Sequence, residues 1–226
     1  MFPLNCKSGC ASLFFLTMQP FLDACKHGHL EEAQRLFGLG GVDIHAHGDF
    51  AFRLACANGH LGVAQWLWSL GGVDIHVYRD DAFRAACERG HLMLAQWLFS
   101  LGGVVIHVSD DYAFRWACAD GHLAVAQWLL GLGGVDMHAL EDDAFRAACE
   151  YGHVPLAQWL FAQGGVDIHV DNDAAFRWAC ADGHLYLGRW LIAQEPEWAW
   201  PAEGMRALQV WSPARDAWMR AVPSLR

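Results

Sequence analysis

Apolar positions along the chain fall into pairs of short helical stripes. In the stretch from Asp80 to His107, Phe83, Ala86 and Cys87 stand at i, i+3 and i+4, the spacing of one helical face. Asp80 or Asp81 is placed to cap the start of that helix, its carboxylate accepting the free amide hydrogens of the first turn. Gly90 can take the left-handed conformation that ends it. Leu92, Ala95, Leu98 and Phe99 then mark a second apolar stripe, which Gly102-Gly103 stops. Val104 to Ser109 reads as an extended loop. The predicted unit is a short helix, a tight turn, a second short helix and a returning loop.

The unit recurs every 31 residues, as the Gly-His-Leu-like strings at Gly28, Gly59, Gly90, Gly121, Gly152 and Gly183 show. Phe21, Phe52, Phe83, Phe114, Phe145 and Phe176 keep the same register, as do Cys25, Cys56, Cys87, Cys118, Cys149 and Cys180. Arg53, Arg84, Arg115, Arg146 and Arg177 form a further ladder, and Trp66, Trp97, Trp128, Trp159 and Trp190 another. A fixed period of this size means a solenoid or a propeller, and the strict alternation a propeller blade needs is absent. Helices this short fall below the roughly 12–15 residues that survive alone in water, so each must lean on its neighbours.

The run Ala55 to Leu67, Ala-Cys-Ala-Asn-Gly-His-Leu-Gly-Val-Ala-Gln-Trp-Leu, resembles the ankyrin core of two small residues, an Asn-Gly-His-Leu-like turn and an aliphatic helix. Gly72 to His76, Gly-Val-Asp-Ile-His, is similar to the ankyrin segment that opens the hairpin loop. The resemblance spans about residues 18–195. It implies an all-α, ankyrin-type solenoid of about six stacked helix pairs with short hairpin loops. The units are expected at about 18–45, 46–76, 77–107, 108–138, 139–169 and 170–195, after an N-terminal extension at 1–17 and before a Trp-rich capping segment at 196–226. The unit is shorter than the usual 33 residues, and Ala51-Phe52-Arg53 and its copies replace the familiar Thr-Pro-Leu-His start. The trimmed form resembles arrays common in giant viruses and some protists.

The ladders invite chemistry, but most of it fails on distance. Stacked helices lie about 8–10 Å apart, whereas a disulfide needs Cα atoms within about 7 Å and zinc holds sulfur at about 2.3 Å. The cysteines are therefore read as small buried core residues in a reducing, cytoplasmic compartment. His29 to His184 occupy the turn between helices, and His45, His76, His107, His138 and His169 the loop. A metal- or redox-responsive array built on these His and Cys ladders is the alternative to a binding role. Each Arg is expected to pair with the Asp four residues earlier, Asp49, Asp80, Asp111, Asp142 or Asp173, or to reach a neighbouring unit's Asp in an alternating line of charges between units. The Trp ladder is read as packing between units rather than as a stacking platform for bases. Trp116 and Trp178 alternate with Ala85 and Ala147, an arrangement expected to interdigitate neighbouring helices.

A formal charge of −10 disfavours nucleic acid as a partner. No apolar run is long enough to span a membrane. An apolar run at Leu13–Leu16 leaves a secretory signal as a minor reading. Two readings of the C-terminal tryptophans, Trp198, Trp200, Trp211 and Trp218, stay open: an amphipathic helix over Ala214 to Val222 that caps the last unit, or a docking segment. No catalytic constellation is present, so an enzyme is not expected, nor is a cofactor or bound metal.

Resemblance to ankyrins implies recognition of another protein by a monomeric array, through a concave face of hairpin tips and first helices. Recognition should fall where units differ. The candidates are Tyr78, Arg79, Asp110, Glu141 and Asp171 at loop tips, and Glu88, Arg89, Asp120, Tyr151 and Asp182 before the glycines. Tyr78, Arg89 and Tyr151 are the expected anchors, because Tyr and Arg dominate interface energies.

Overall fold

The computed structural model describes residues 18–197 and 199–209. The extension at 1–17, Trp198, Trp211, Trp218 and the expected helix over Ala214 to Val222 lie outside them. All regular structure among the described residues is helical. Helix α1 covers 18–26. It is followed by α2 (Leu30–Gly38), α3 (Ala46–Ala57), α4 (Leu61–Ser69), α5 (Val77–Glu88), α6 (Leu92–Ser100), α7 (Val108–Ala119), α8 (Leu123–Leu132), α9 (Ala139–Glu150), α10 (Val154–Gln163), α11 (Val170–Ala181), α12 (Leu185–Gln194) and α13 (Ala202–Gln209). Odd-numbered helices up to α11 are the first of each pair. The chain divides into two compact units, Met1–Ala117 with Ala124–Val135, and Cys118–Leu123 with Asp136–Arg226.

Each pair is built the same way. The ladder Phe and Cys of the first helix are buried, with Phe83 1% and Cys87 0% exposed, and so are the Ala and Leu stripe of the second, such as Ala95 and Leu98. Burying one such Phe or Leu stabilises by about 1.5–3 kcal/mol. In the first unit Trp66 meets Phe21 and Phe37 edge-on at 6.3 and 5.8 Å, and Trp128 meets Phe83 and Phe99 at 6.2 and 5.8 Å. In the second unit Trp190 stands edge-on to Phe161 at 5.3 Å. Each of these three Trp rings joins its own helix pair to the one before it.

The loop differs from the expected hairpin. Only 103–105 of the stretch Val104 to Ser109 and its surroundings is open chain, and a turn follows at once. Three consecutive residues then adopt positive φ before the right-handed helix begins: Tyr78, Arg79 and Asp80 at 53°, 60° and 59°. The same left-handed turn occurs at His47–Asp49, Ser109–Asp111, Leu140–Asp142 and Asp171–Asp173. An L-residue in this region costs roughly 1–2 kcal/mol, and it usually occurs singly. Three in a row persist only where side chains hold them.

The holding residues overturn the expected Asp–Arg pairing. Arg84 Nε and Nη2 donate to the carbonyls of Arg79 and Tyr78 at 3.0 and 2.9 Å, so the guanidinium clamps the turn backbone. Arg53 and Arg177 do the same for their own turns. The carboxylate of Asp80, 4% exposed, lies 2.6 Å from His76 Nδ1 and accepts the Val105 backbone N–H of the next repeat at 3.2 Å. Asp49 and Asp142 bond the Asp74 and Asp167 amides in the same way, at 3.1 and 3.0 Å. The Asp therefore latches one repeat to the next instead of capping its own helix or pairing with its Arg. The left-handed backbone turns the carboxylate back toward His76, away from the amides of the following turn.

At the end of the second unit α13 packs on α11 and α12. Trp200, 9% exposed, lies against Phe176 at 4.9 Å and donates from Nε1 to the Glu195 carbonyl at 3.0 Å.

Candidate functional site

The ladders that invited chemistry are occupied with holding the fold. The turn histidines are wedged between repeats: His60 Nε2 lies 2.8 Å from the Lys26 carbonyl and His153 Nε2 2.9 Å from that of Ala119. The loop histidines His45, His76, His107, His138 and His169 each place Nδ1 2.5–2.7 Å from a buried Asp. His169 also reaches Glu195 at 3.1 Å. Burial favours its neutral ring, but the bonds to Asp173 and Glu195 outweigh this and raise its pKa above the ordinary value. The six ladder cysteines are free thiols. Burial pushes Cys25 up to about 12 and Cys180 up to about 11, and raises Cys56, Cys87, Cys118 and Cys149 further. Among the described residues no group of three or more His, Cys, Asp and Glu could hold a metal ion, and no helix is long and apolar enough to cross a membrane.

The ten expected partner-binding residues fall at two ends of the first helices. Tyr78, Arg79, Asp110, Glu141 and Asp171 all sit in left-handed turns with exposed side chains. Glu88, Arg89, Asp120, Tyr151 and Asp182 sit at the opposite ends, about 10–15 Å along the helix axis. Arg89, Asp120, Tyr151 and Asp182 are exposed and Glu88 is half-buried. Tyr78, Arg79, Glu88, Arg89 and Asp110 belong to the first compact unit, and the other five to the second.

The first unit also carries a row of aromatic and charged side chains of which the sequence reading named only Tyr78 and Glu88 as binding candidates. Arg53 lies over the rings of Phe50 and Tyr78, at 5.5 and 4.7 Å from their centroids, and bonds Asp81 at 2.7 Å. Asp81 is also 3.6 Å from Arg84, which stacks over Tyr112 at 5.0 Å. Tyr112 in turn donates to Glu88 at 3.4 Å and lies 5.6 Å from Trp116. Phe50, Tyr78 and Trp116 remain 36%, 61% and 40% exposed.

Trp116 thus stands on the surface of its helix, contrary to the expectation that it would interdigitate between helices. Its repeat equivalents are Leu54 and Ala85. The signal was in the sequence: Phe50, Asp81 and Tyr112 occupy one repeat position, which reads Phe, Asp, Tyr, Asp and Ala along positions 50 to 174.

In the second unit Arg146 lies over Trp178 at 5.6 Å and bonds the Leu140 carbonyl at 2.9 Å. Its Nε is buried without a hydrogen bond, unlike Arg53, Arg84 and Arg177. Leu140 and Tyr151 are 52% and 54% exposed.

Two family models of ankyrin repeats match the sequence, one over residues 113–201 and one over residues 83–130. No curated protein matches it. The matched stretch, 83–201, covers more than half of the chain and coincides with helix pairs stacked through ladder Phe, Cys and Leu residues. With helix pairs, glycine-closed turns and repeat-to-repeat latches all in register, the chain belongs to the ankyrin repeat family.

Proposed function

We propose that this protein is a non-catalytic interaction module that binds a partner protein on the side formed by its first helices and left-handed turns. Ankyrin repeats are in general protein-interaction modules. The observation that carries the reading here is the contact-linked row from Phe50 to Trp116 in the first unit. Three large apolar side chains on it stay exposed, although burying each would stabilise the array. Aromatic and arginine side chains concentrate binding energy at interfaces, and this row interleaves them. The residues that hold the fold, Arg53 and Arg84 on the row among them, are uniform from repeat to repeat, while Phe50, Tyr78, Asp81, Tyr112 and Trp116 differ from their neighbours in the adjacent repeats.

A photo-crosslinking residue placed at Tyr78, at Trp116 or at Met93 on the second helix tests the reading in the cells that make the protein. The expected result is the same protein adduct from positions 78 and 116 and none from 93. Equal labelling from 93, or no protein adduct at 78 and 116, would refute it.

A further inference from the structure

Resting on that reading, we infer that the first helices of the second compact unit, α9 and α11, dock a basic segment of the partner protein. Lys or Arg side chains of that segment meet Glu141, Glu150 and Asp182, and its apolar side chains lie against Leu140 and Tyr151.

Charge gives the sign, with every carboxylate counted, buried or exposed. The stretches 139–151 and 170–182 hold seven Asp and Glu residues and only two cations, Arg146 and Arg177. The corresponding stretches of the first unit, 46–58, 77–89 and 108–117, hold six acidic residues and five arginines. The acidic excess on the first helices therefore belongs to the second unit. Both of its arginines are occupied. Arg146 donates to the Leu140 carbonyl at 2.9 Å and lies 3.8 and 3.7 Å from Asp143 and Asp171. Arg177 donates to the carbonyls of Asn172 and Asp171 at 2.8 and 3.0 Å. Glu141, Glu150 and Asp182 make no hydrogen bond or ion pair among the described residues. Such a face draws a basic segment and repels phosphates and acidic segments.

The first unit shows why one of these carboxylates is left over. Glu88 accepts a hydrogen bond from Tyr112, 24 residues further on, at 3.4 Å. Glu150 holds the place of Glu88 two repeats later, and the residue in the place of Tyr112 is Ala174, which is buried and has nothing to donate. Apolar contact area lies beside the charges. Leu140 near the start of α9 and Tyr151 just past its end are 52% and 54% exposed. Tyrosine concentrates binding energy at interfaces, and the carboxylates set which segment approaches it.

A random dodecapeptide display library selected on the full chain is the test. The expected peptides carry two or more Lys or Arg residues with an aromatic or aliphatic residue among them. Their binding falls about fivefold in Glu141→Gln with Glu150→Gln, as two exposed ion pairs allow, and weakens in Tyr151→Ala. It also weakens between about 50 and 500 mM salt. The thermal midpoint of the double variant is unchanged, because neither carboxylate bonds within the fold. Glu31→Gln with Glu197→Gln removes the same charge elsewhere and leaves binding within about twofold. Enrichment of acidic or neutral peptides, no enrichment, or equal loss in the two double variants would overturn the inference. Positions 78 and 116 lie in the first unit, so their adducts would stand in each of those cases. Failure here is thereby distinct from failure of the interaction reading, which the missing adducts alone would show.

Discussion

Replacing Asp80 separates the latch from the helix-capping and Asp–Arg roles that its position suggests. Its carboxylate joins His76 Nδ1 at 2.6 Å to the Val105 amide at 3.2 Å, in a site 4% exposed. Asp80→Ala removes both bonds. Hydrogen bonds to charged groups contribute about 1.5–3 kcal/mol each. His76 is 45% exposed and regains water, which leaves the amide as the main loss. Alanine at φ 59° adds about 1 kcal/mol of backbone strain. The expected destabilisation is roughly 2–4 kcal/mol. Asp80→Asn behaves differently. Its Oδ1 can accept the Val105 N–H while its Nδ2 donates to His76 Nδ1, and Asn tolerates positive φ, so the expected loss is about 1 kcal/mol or less. Urea unfolding followed by Trp fluorescence measures the ranking. Amide exchange at Val105 measures the bond itself, and should accelerate strongly in Ala but little in Asn. Equal losses for Asn and Ala, or an unchanged Val105 exchange rate in Ala, would refute the latch.

Burial raises all six ladder thiols, so folding is favoured below their ordinary value of 9.0 and that contribution is lost as pH climbs through the folded values, about 11 for Cys180 and about 12 for Cys25. Alkaline unfolding is expected to begin above pH 9, and a thiol reagent at pH 7.5 should label the ladder cysteines only after urea is added. Gly59→Ala would bring a Cβ to 2.6 Å from the His91 ring at φ 77°, so the thermal midpoint is expected to fall, by about 2 kcal/mol equivalent or more; an unchanged midpoint contradicts the wedge. His169, raised by Asp173 and Glu195, stabilises the last repeat fully below pH 6.5 and loses that contribution as pH rises through its raised value. Glu195→Gln should lower the His169 titration midpoint in NMR and flatten this dependence.

The periodic part of the fold was legible because it rests on side-chain size. A Phe, a Cys and a Leu recurring at helical spacing can only be a core, and all three ladders are buried. The loop was not legible in the same way. Left-handed geometry is normally announced by glycine, yet only Gly48 stands in the five turns; Tyr78, Arg79, Leu140 and Glu141 give no such signal. The Asp–Arg spacing of four suggested a helical pair, and the pairing failed because the Asp precedes the right-handed helix. For the candidate surface, variable positions picked out both ends of the first helices. They missed the middle, where Phe50, Asp81 and Tyr112 vary on the helix face itself.

The turn explains how one short loop can be both invariant in path and free in sequence. Its path is set by groups that lie outside its first two residues: the Arg five and six positions later that binds their carbonyls, and the Asp that closes on His and on the next repeat's amide. None of these bonds uses the side chains of the first two residues. Those side chains can therefore be His-Gly, Tyr-Arg, Ser-Asp, Leu-Glu or Asp-Asn without moving the backbone. A hairpin finger would have tied its tip residues to strand pairing and to hydrogen-bonding register. By replacing it with a clamped left-handed turn, the shortened repeat gives up length and accepts local strain. It gains two side chains per repeat whose identity these backbone bonds do not constrain.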